Sequence, residues 1–487
     1  MGKKNKKKFT LSSFSIILIL IAILGLVTQF LPAAKFVDDV IVDGSGVAKA
    51  TLSQILMAPI LGFRNAVDVA IFVLILGWFL AIVAKTGALE TGIKALVKKL
   101  KGNELMLIPI LMFIFSIGGT TYGMLEETVG FYILLAATMV MAGMDTIVGA
   151  SIVLLGAGSG VLGSTINPFA VGAAVSALPE GVVVNQGIII FLGVVLWLTS
   201  LAISIFFVMR YAKKVKKDKG STILSLQEQN KMNKKFKKND ELDDAQLSGK
   251  QKITLVIFGL TFLLMIASFI PWDTLGFTFF ADNFENGKLS IMGTIFGNPL
   301  GWWWFYEAAL LFTISAILIG IINKFSEKEI VETFVDGADD MIGVILIIAI
   351  ARGASVLMSQ TYLDNYIIFN AAEALRNVSG TIFAPLNYLL HVVLSVLVPS
   401  SSGLATLSTP IMGPLASQIG YSVETTIMSF VAANGLVNLI TPTCGAIMGG
   451  LALAKIEYST WVKFAWKIVL SIAIANMLIL TIAMAIL

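Results

Sequence analysis

Two adjacent carboxylates, Glu126 and Glu127, stand in the run FSIGGTTYGMLEETVGFYILL (115–135), just after a glycine–threonine turn and inside an apolar region. An ionised acid in hydrocarbon costs several kcal/mol or more without a partner, so such residues are functional candidates wherever the chain lies in a bilayer. Gly119, Thr120, Thr121 and Tyr122 precede them and offer backbone amides and hydroxyls. The turn PSSSGL (399–404) offers the same chemistry through Ser400, Ser401 and Ser402. Two further polar clusters sit beside helix breaks, where Pro and Gly interrupt apolar sequence: Asn167 in INPFAVGAA (166–174), and Asn438, Thr441 and Thr443 at ITPTCGAIM (440–448). A helix N-terminus with hydroxyls suits a substrate carboxylate. A fixed carboxylate beside it favours a cationic ligand and opposes a dicarboxylate.

The two acids have different expected tasks. With Gly123 as N-cap, Glu126 falls at the third helical position, where it can bond back to the first turn and complement the helix dipole. Glu127 then points about 100° away and is the expected cavity-facing acid. Arg352, after VILIIAIA, is the one cation deep in an apolar span. Its expected partner is Asp339 or Asp340, with an anionic group as the alternative. Glu307 reads as interfacial, beside Trp302, Trp303 and Trp304, which open a helix where an aromatic belt lies. His391, the only histidine, and Ser159 of GAGSG (156–160) raise a nucleophile–base reading. No oxyanion constellation accompanies them, and the glycines are better explained by close helix packing. Neither a cofactor nor a metal site is expected, and the lone Cys444 excludes an intramolecular disulfide.

These residues must be positioned by membrane helices. The chain is 57% hydrophobic and 13% charged, against about a quarter charged in soluble domains, and its mean hydropathy is +0.89. Apolar stretches recur at 10–33, 66–84, 147–178, 187–209, 253–271, 303–323, 341–358, 424–454 and 465–487. Most are about 19 residues or longer, enough to span roughly 30 Å as helix. The first reads as a retained helix and not a cleaved leader. The expected fold is an all-α polytopic membrane protein of about nine crossings. With the N-terminus inside, 28 of the 34 Lys and Arg lie on the cytoplasmic side, so the positive-inside rule places the C-terminus outside. The basic balance is local to that side and does not indicate nucleic acid as a partner; the partners expected are membrane lipid and a small-molecule substrate.

The halves flanking the polar stretch 211–252 carry matching elements in the same order. AKTGALETGI (84–93) parallels MSQTYLDNYI (358–367), the turn at 118–123 parallels that at 399–404, and the two Pro/Gly breaks follow. The first half begins inside and the second outside, as an inverted repeat requires. Matched interruptions in inverted halves point to the central site of a secondary transporter, because backbone freed from a helix must line a polar cavity and not face lipid. Residues 104–117 are short for a crossing and suit one limb of a re-entrant hairpin. The expected organisation is a first repeat over 1–210, a cytoplasmic linker over 211–252, a connecting helix and outer loop over 253–302, and a second repeat over 303–487. The linker reads as a solvated connector, with a membrane-surface or regulatory arm as the alternative.

The motifs FSIGGTTYGMLEET, GAGSGVLGSTINPFAVGAA and NGLVNLITPTCGAIMGGLALA resemble the YfcC-type branch of the DcuC-like (C4-dicarboxylate anaerobic carrier) family, within the ion transporter superfamily. The resemblance covers nearly the whole chain outside the linker. It implies two inverted repeats, each with a re-entrant hairpin and a broken helix, elevator-type alternating access and a homodimer. It also implies exchange of basic amino acids, arginine against ornithine, with ion-coupled transport of C4-dicarboxylates or other carboxylates as the alternative. The tips here, Gly119-Thr120-Thr121 and Ser400-Ser401-Ser402, lack the asparagine of the sodium-coupled branch. The amphipathic segments 86–101 and 361–377 are the expected arms at the two membrane faces.

Overall fold

The computed structural model describes residues 13–37, 40–42, 44–92, 95, 103–236, 246–270, 272–273, 276–288, 290–398 and 400–487. The helices are α1 Ser13–Phe30, α2 Leu52–Arg64, α3 Val67–Lys85, α4 Leu107–Tyr122, α5 Val129–Met141, α6 Thr146–Leu162 and α7 Ala173–Ser176. There follow α8 Gln186–Lys217, α9 Leu226–Phe236, α10 Gly249–Phe269, α11 Phe279–Glu285, α12 Ser290–Phe296 and α13 Phe305–Ile322. The chain ends in α14 Glu327–Thr361, α15 Leu363–Leu375, α16 Gly380–Leu397, α17 Ser401–Gln418, α18 Val423–Val437, α19 Gly445–Leu453 and α20 Tyr458–Ile486. A two-residue antiparallel ribbon, β1 Phe36–Val37 with β2 Val40–Ile41, is the only sheet among the described residues.

Eight helical segments among the described residues are long and apolar enough to cross a membrane. Their outer faces carry large apolar side chains. On α20, Trp466, Leu470, Ile474, Leu478, Ile482 and Ile486 are exposed at i, i+4 spacing, while Ile468, Ile472, Asn476 and Leu480 are buried. A soluble helix would reverse that exposed stripe; this one suits hydrocarbon.

The helices pack as two groups. The first is built on α14, which at 35 residues extends about 50 Å. Helices α2 and α3 run antiparallel along it, separated by a break at Asn65 and Ala66, with α1, α10 and α13 completing the group. Close approach depends on glycine. A Cβ on Gly62 would stand 2.3 Å from the Ala349 carbonyl oxygen, and one on Gly77 would stand 2.5 Å from that of Gly337.

The second group holds α4–α8 and α16–α20. Its centre is α6, whose seventeen residues are all buried. The GAGSG run behaves as a packing surface: Gly160 faces the Ser116 carbonyl oxygen of α4, where an added Cβ would sit at 2.1 Å. Ser159 Oγ donates to Leu155 O at 2.6 Å and lies 3.1 Å from Ser204 Oγ. His391 is buried elsewhere, with its ring nitrogens on Asn387 O at 2.8 Å and Ser408 Oγ at 3.1 Å. The two residues of the nucleophile–base reading are therefore each committed to separate structural contacts.

The polar stretch departs from the expected solvated connector. Helix α8 continues to Lys217, and α10 begins at Gly249 behind a Ser248–Gln251 capping box. Between them, Thr222 Oγ1 donates to Asp145 at 2.6 Å. Glu228 is fully buried and accepts from the backbone N–H of Glu457 at 2.8 Å and the hydroxyl of Thr460 at 3.1 Å. Residues 218–236 are thus docked on the second helix group, while Gln251 bonds Thr86 O at 3.3 Å in the first. Of the expected arms, α15 accounts for 361–377, whereas 93–94 and 96–101 lie outside the described residues.

Candidate substrate cavity

Where the first turn meets the first break, the chain holds itself together through backbone polar groups. Thr120 Oγ1 donates to Gly163 O at 2.7 Å, and Thr165 N–H donates to Thr120 O at 2.9 Å. Asn167 caps the next segment, its Oδ1 accepting from Phe169 N–H at 2.9 Å, and Pro168–Gly172 form a single π turn. Such turns leave carbonyls off the regular ladder and recur at functional sites. The second turn repeats the arrangement. Ser400 Oγ caps α17 by accepting from Gly403 N–H at 3.1 Å, Ser401 Oγ donates to Asn434 at 2.6 Å, and Thr443 Oγ1 donates to Val396 O at 3.2 Å.

The geometry gives Glu127 the local backbone bond expected of Glu126, while both acids line the cavity. Gly123 closes α4 as a left-handed C-cap (φ 83°) and opens no helix. A 3₁₀ turn, Glu126–Thr128, follows. Within it Glu127, 5% exposed, accepts from the Leu125 N–H at 3.0 Å and so carries the local backbone bond. Glu126 is the less buried of the two, with Glu127, Arg352 and Asp68 as its charged neighbours. Arg352 lies thirteen residues from Asp339, about 20 Å along α14, so that pairing fails. Its Nη1 donates instead to the carbonyl of Asn65, at the α2–α3 break, at 3.3 Å. Glu307 is no free interfacial acid either, since it accepts from Trp304 N–H at 2.8 Å and Asn298 Nδ2 at 2.7 Å.

Both turns, both breaks and the middle of α14 border one cavity of about 620 Å³. From the expected residues it receives Glu126, Glu127, Asn167, Ser400, Ser401, Ser402, Asn438 and Thr443. Five others turn away. Gly119 is pressed on α6, where a Cβ would meet Ala157 O at 2.1 Å. Thr120 ties the turn to the break, and Thr121 Oγ1 bonds back to Ile117 O at 2.7 Å. Tyr122 is buried and stacked on Phe269, and Thr441 supports Thr443 from 2.7 Å.

The first helix group supplies lining residues that motif spacing did not single out. Asp68 lies one turn beyond the α2–α3 break and accepts from Trp304 Nε1 at 3.3 Å. The Trp304 and Phe169 rings stand 4.4 Å apart beside it. Along α14 the cavity follows Ile348, Arg352, Ser355 and Ser359 towards Asp364 at the start of α15. At its other end α19 closes on α14, and a Cβ on Gly445 would stand 2.1 Å from the Ile348 side chain. The lining carries four carboxyl groups, Asp68, Glu126, Glu127 and Asp364, against one guanidinium. Asn438 Oδ1 is a buried acceptor on this lining with no protein donor among the described residues. An isolated acid in an apolar run was a usable signal for Asp68; Trp304 was legible only as part of a belt.

Comparison with known proteins places this geometry in a family context. The family model described as "DcuC: C4-dicarboxylate anaerobic carrier" matches residues 11–485. An uncharacterised Haemophilus influenzae protein is 31% identical over 420 residues, covering 86% of this chain and 75% of that protein. The Escherichia coli protein named "Putative basic amino acid antiporter YfcC" is 26% identical over 412 residues, covering 82% and 74%. Among solved structures, the Neisseria gonorrhoeae efflux pump MtrF aligns over 99% of this chain and 96% of its own at 17% identity, with a TM-score of 0.44. The Alcanivorax borkumensis transporter YdaH aligns over 97% and 98% at 14% identity, with a TM-score of 0.45.

Proposed function

We propose that this chain, which belongs to the C4-dicarboxylate anaerobic carrier family and to its YfcC-type branch, exchanges cationic amino acids, arginine for ornithine, across the cytoplasmic membrane. It is a multi-pass membrane transporter. The observation that carries the substrate reading is the make-up of the cavity lining, four carboxyl groups against a single guanidinium. The name of the E. coli relative points the same way.

In this reading the substrate lies across the cavity. Its α-carboxylate sits between Arg352 and the N-terminus of α17, where the Ser401 and Ser402 backbone amides and the Ser402 hydroxyl lie on the lining. Its α-ammonium donates to Asn438 Oδ1. The cationic tail reaches Glu126 and Asp68, with Trp304 and Phe169 offering ring faces worth about 0.5–2 kcal/mol to a cation. Arginine and ornithine each carry one net positive charge near neutral pH, so one-for-one exchange moves no net charge and needs no ion gradient.

The transport path follows from the same parts. The nine crossings are α1, α2–α3, α6–α7, α8, α10, α13, α14, α18–α19 and α20, with α4–α5 and α16–α17 as re-entrant hairpins in two inverted repeats. The N-terminus and linker are cytoplasmic and Leu487 external. The cavity then opens outward along α14, and α19 against α14 is the inner seal. The hairpin and broken-helix group moves as an elevator past the α14 group. A homodimer is the expected assembly, which native mass spectrometry would register as twice the 52.2 kDa chain; a single chain mass alone would reject it.

Binding of labelled arginine to the purified protein, competed by unlabelled amino acids and acids, tests the substrate. Ornithine and lysine should compete, citrulline should compete at least tenfold less well, and succinate should not compete. Displacement by succinate in preference to ornithine would replace this reading with the carboxylate one, which the family description and Arg352 both favour.

A further inference from the structure

Trp302, Trp303 and Trp304 are consecutive, yet each indole meets a different environment. Trp304 donates to Asp68 on the central cavity at 3.3 Å. Trp303 is buried, donates to Asn298 O at 2.9 Å and packs on Phe296 with ring centres 4.2 Å apart. Trp302 is exposed and donates to Asp273 at 2.9 Å. That bond joins Trp302 to a run of rings on the same loop. Trp272 meets Phe277 and Phe280 at 6.1 and 6.2 Å, Phe279 meets both at 6.0 and 5.5 Å, and Phe284 meets Trp302 at 6.3 Å. Phe277 and Phe279 are 50% and 54% exposed. A contiguous exposed apolar surface of this kind marks a contact with something other than water.

The position of the loop says what covers it. It joins two membrane spans, α10 and α13. At 21 and 18 residues these measure about 32 and 27 Å, against roughly 30 Å of hydrocarbon, so Phe269 and Phe305 lie near its boundary. Their rings are 6.5 Å apart, and Gly301 N–H closes the base of the loop on Ser268 O at 2.9 Å. Trp272 stands three residues past α10, with its indole donating back to Ala267 O at 2.7 Å. The aromatic surface thus continues the exposed apolar face that α10 presents at Leu260 and Leu263. At this depth Trp and Phe rings settle between headgroups and acyl chains. We propose that Phe277, Phe279 and Trp302 insert into the bilayer interface and anchor the α14 group, to which α10 and α13 belong. Residues 272–302 carry Asp273, Asp282 and Glu285 against Lys288, so the anchor holds by apolar burial and not by attraction to anionic headgroups. It sets the depth of that group in the bilayer, and with it Trp304 at the cavity.

Spin labelling of the full chain, in a Cys444→Ser background, tests the insertion. Nitroxides at Phe277→Cys and Phe279→Cys are compared with two references, Leu263→Cys on the exposed face of α10 and Asn286→Cys, exposed further along the loop. Power saturation in phosphatidylcholine nanodiscs reads the accessibility of each label to oxygen against nickel-EDDA. Both loop labels should shift from the Asn286 ratio towards the Leu263 ratio, and the shift should persist when phosphatidylglycerol replaces phosphatidylcholine. A second measurement leaves both phenylalanines in place: quenching of tryptophan emission by dibrominated phosphatidylcholine should fall in Trp302→Phe relative to wild type. Loop-label ratios equal to that at Asn286, or equal quenching in the two proteins, overturn the proposal. So does a shift seen only with phosphatidylglycerol, which would make headgroup charge the cause. Spin–spin broadening that vanishes on dilution with unlabelled chain would make a second copy the occupant, and overturns it too. None of these readouts depends on which substrate the central cavity carries.

Discussion

Glu126 and Glu127 are chemically the same group one residue apart, and both line the cavity; the 3₁₀ turn after the left-handed Gly123 commits Glu127 to the Leu125 N–H and leaves Glu126 the less buried of the two. Removing the charge at Glu126 should weaken arginine binding about ten- to a hundredfold, the loss of a charge-assisted contact of roughly 1.5–3 kcal/mol. Citrulline, which lacks the side-chain cation, should bind wild type and Glu126→Gln nearly equally. Competition binding by the two ligands in both proteins measures this; an equal loss for arginine and citrulline would make Glu126 structural. Glu127→Gln weakens the acceptor for the Leu125 N–H, and is expected to lower thermal stability by the equivalent of about 0.5–2 kcal/mol, as for a lost cap. Unchanged melting with lost binding would return the substrate role to Glu127. At this scale the sequence was legible in kind, and misleading only about which acid carries the backbone bond. An acid pair beside a turn announced the cavity, but the cap assignment assumed a helix start at Gly123, where α4 in fact ends. Asp68 and Arg352 were harder to place because their significance depends on α2–α3 and α14 crossing at that depth, a tertiary fact.

Among the elements, α14 and α19 form the contact that the proposed elevator motion must break. Ile348 and Gly445 approach closely enough that an added Cβ on Gly445 stands 3.0 Å from that of Ile348, near the range a disulfide needs. In a Cys444→Ala background, Ile348→Cys/Gly445→Cys should exchange substrate when reduced, stop when oxidised, and recover with reductant. Oxidised protein that keeps its exchange rate would show that the two groups do not separate there. Gly119 belongs to the opposite class of contact, one that must persist: Gly119→Val would drive its side chain into the Ala157 carbonyl. Folded yield and melting temperature should both fall, by the 1–3 kcal/mol typical of overpacking. Retained stability would mean α4 and α6 are not packed this tightly. The breaks were readable because Pro, Gly and Asn interrupt apolar sequence at Asn167–Gly172 and Thr441–Gly445. The break at Asn65 was not, since no proline marks it; Pro59 lies well inside α2. Hydropathy alone also hid the linker helix, whose buried face is only Glu228, Met232 and Phe236.

For the whole molecule, lysine asymmetry and the proposed nine crossings tie sidedness to function. Single cysteines replacing Lys219 and Leu487, in a Cys444→Ser background, should react with an impermeant thiol reagent from opposite faces of the membrane; reaction from one face would remove the nine-crossing path. The overall class was the most legible property of all, because apolar runs of spanning length and the clustering of cations are local in sequence. The substrate was the least, because it depends on side chains from both halves meeting in one cavity. The central claim is obligate exchange of one cationic amino acid for another, and the direct measurement is labelled arginine entry into proteoliposomes at clamped membrane potential. Uptake should require internal ornithine or arginine and should keep the same initial rate when a potential is imposed with potassium and valinomycin. Uptake into empty or succinate-loaded vesicles, or a rate that follows the imposed potential, would contradict the account.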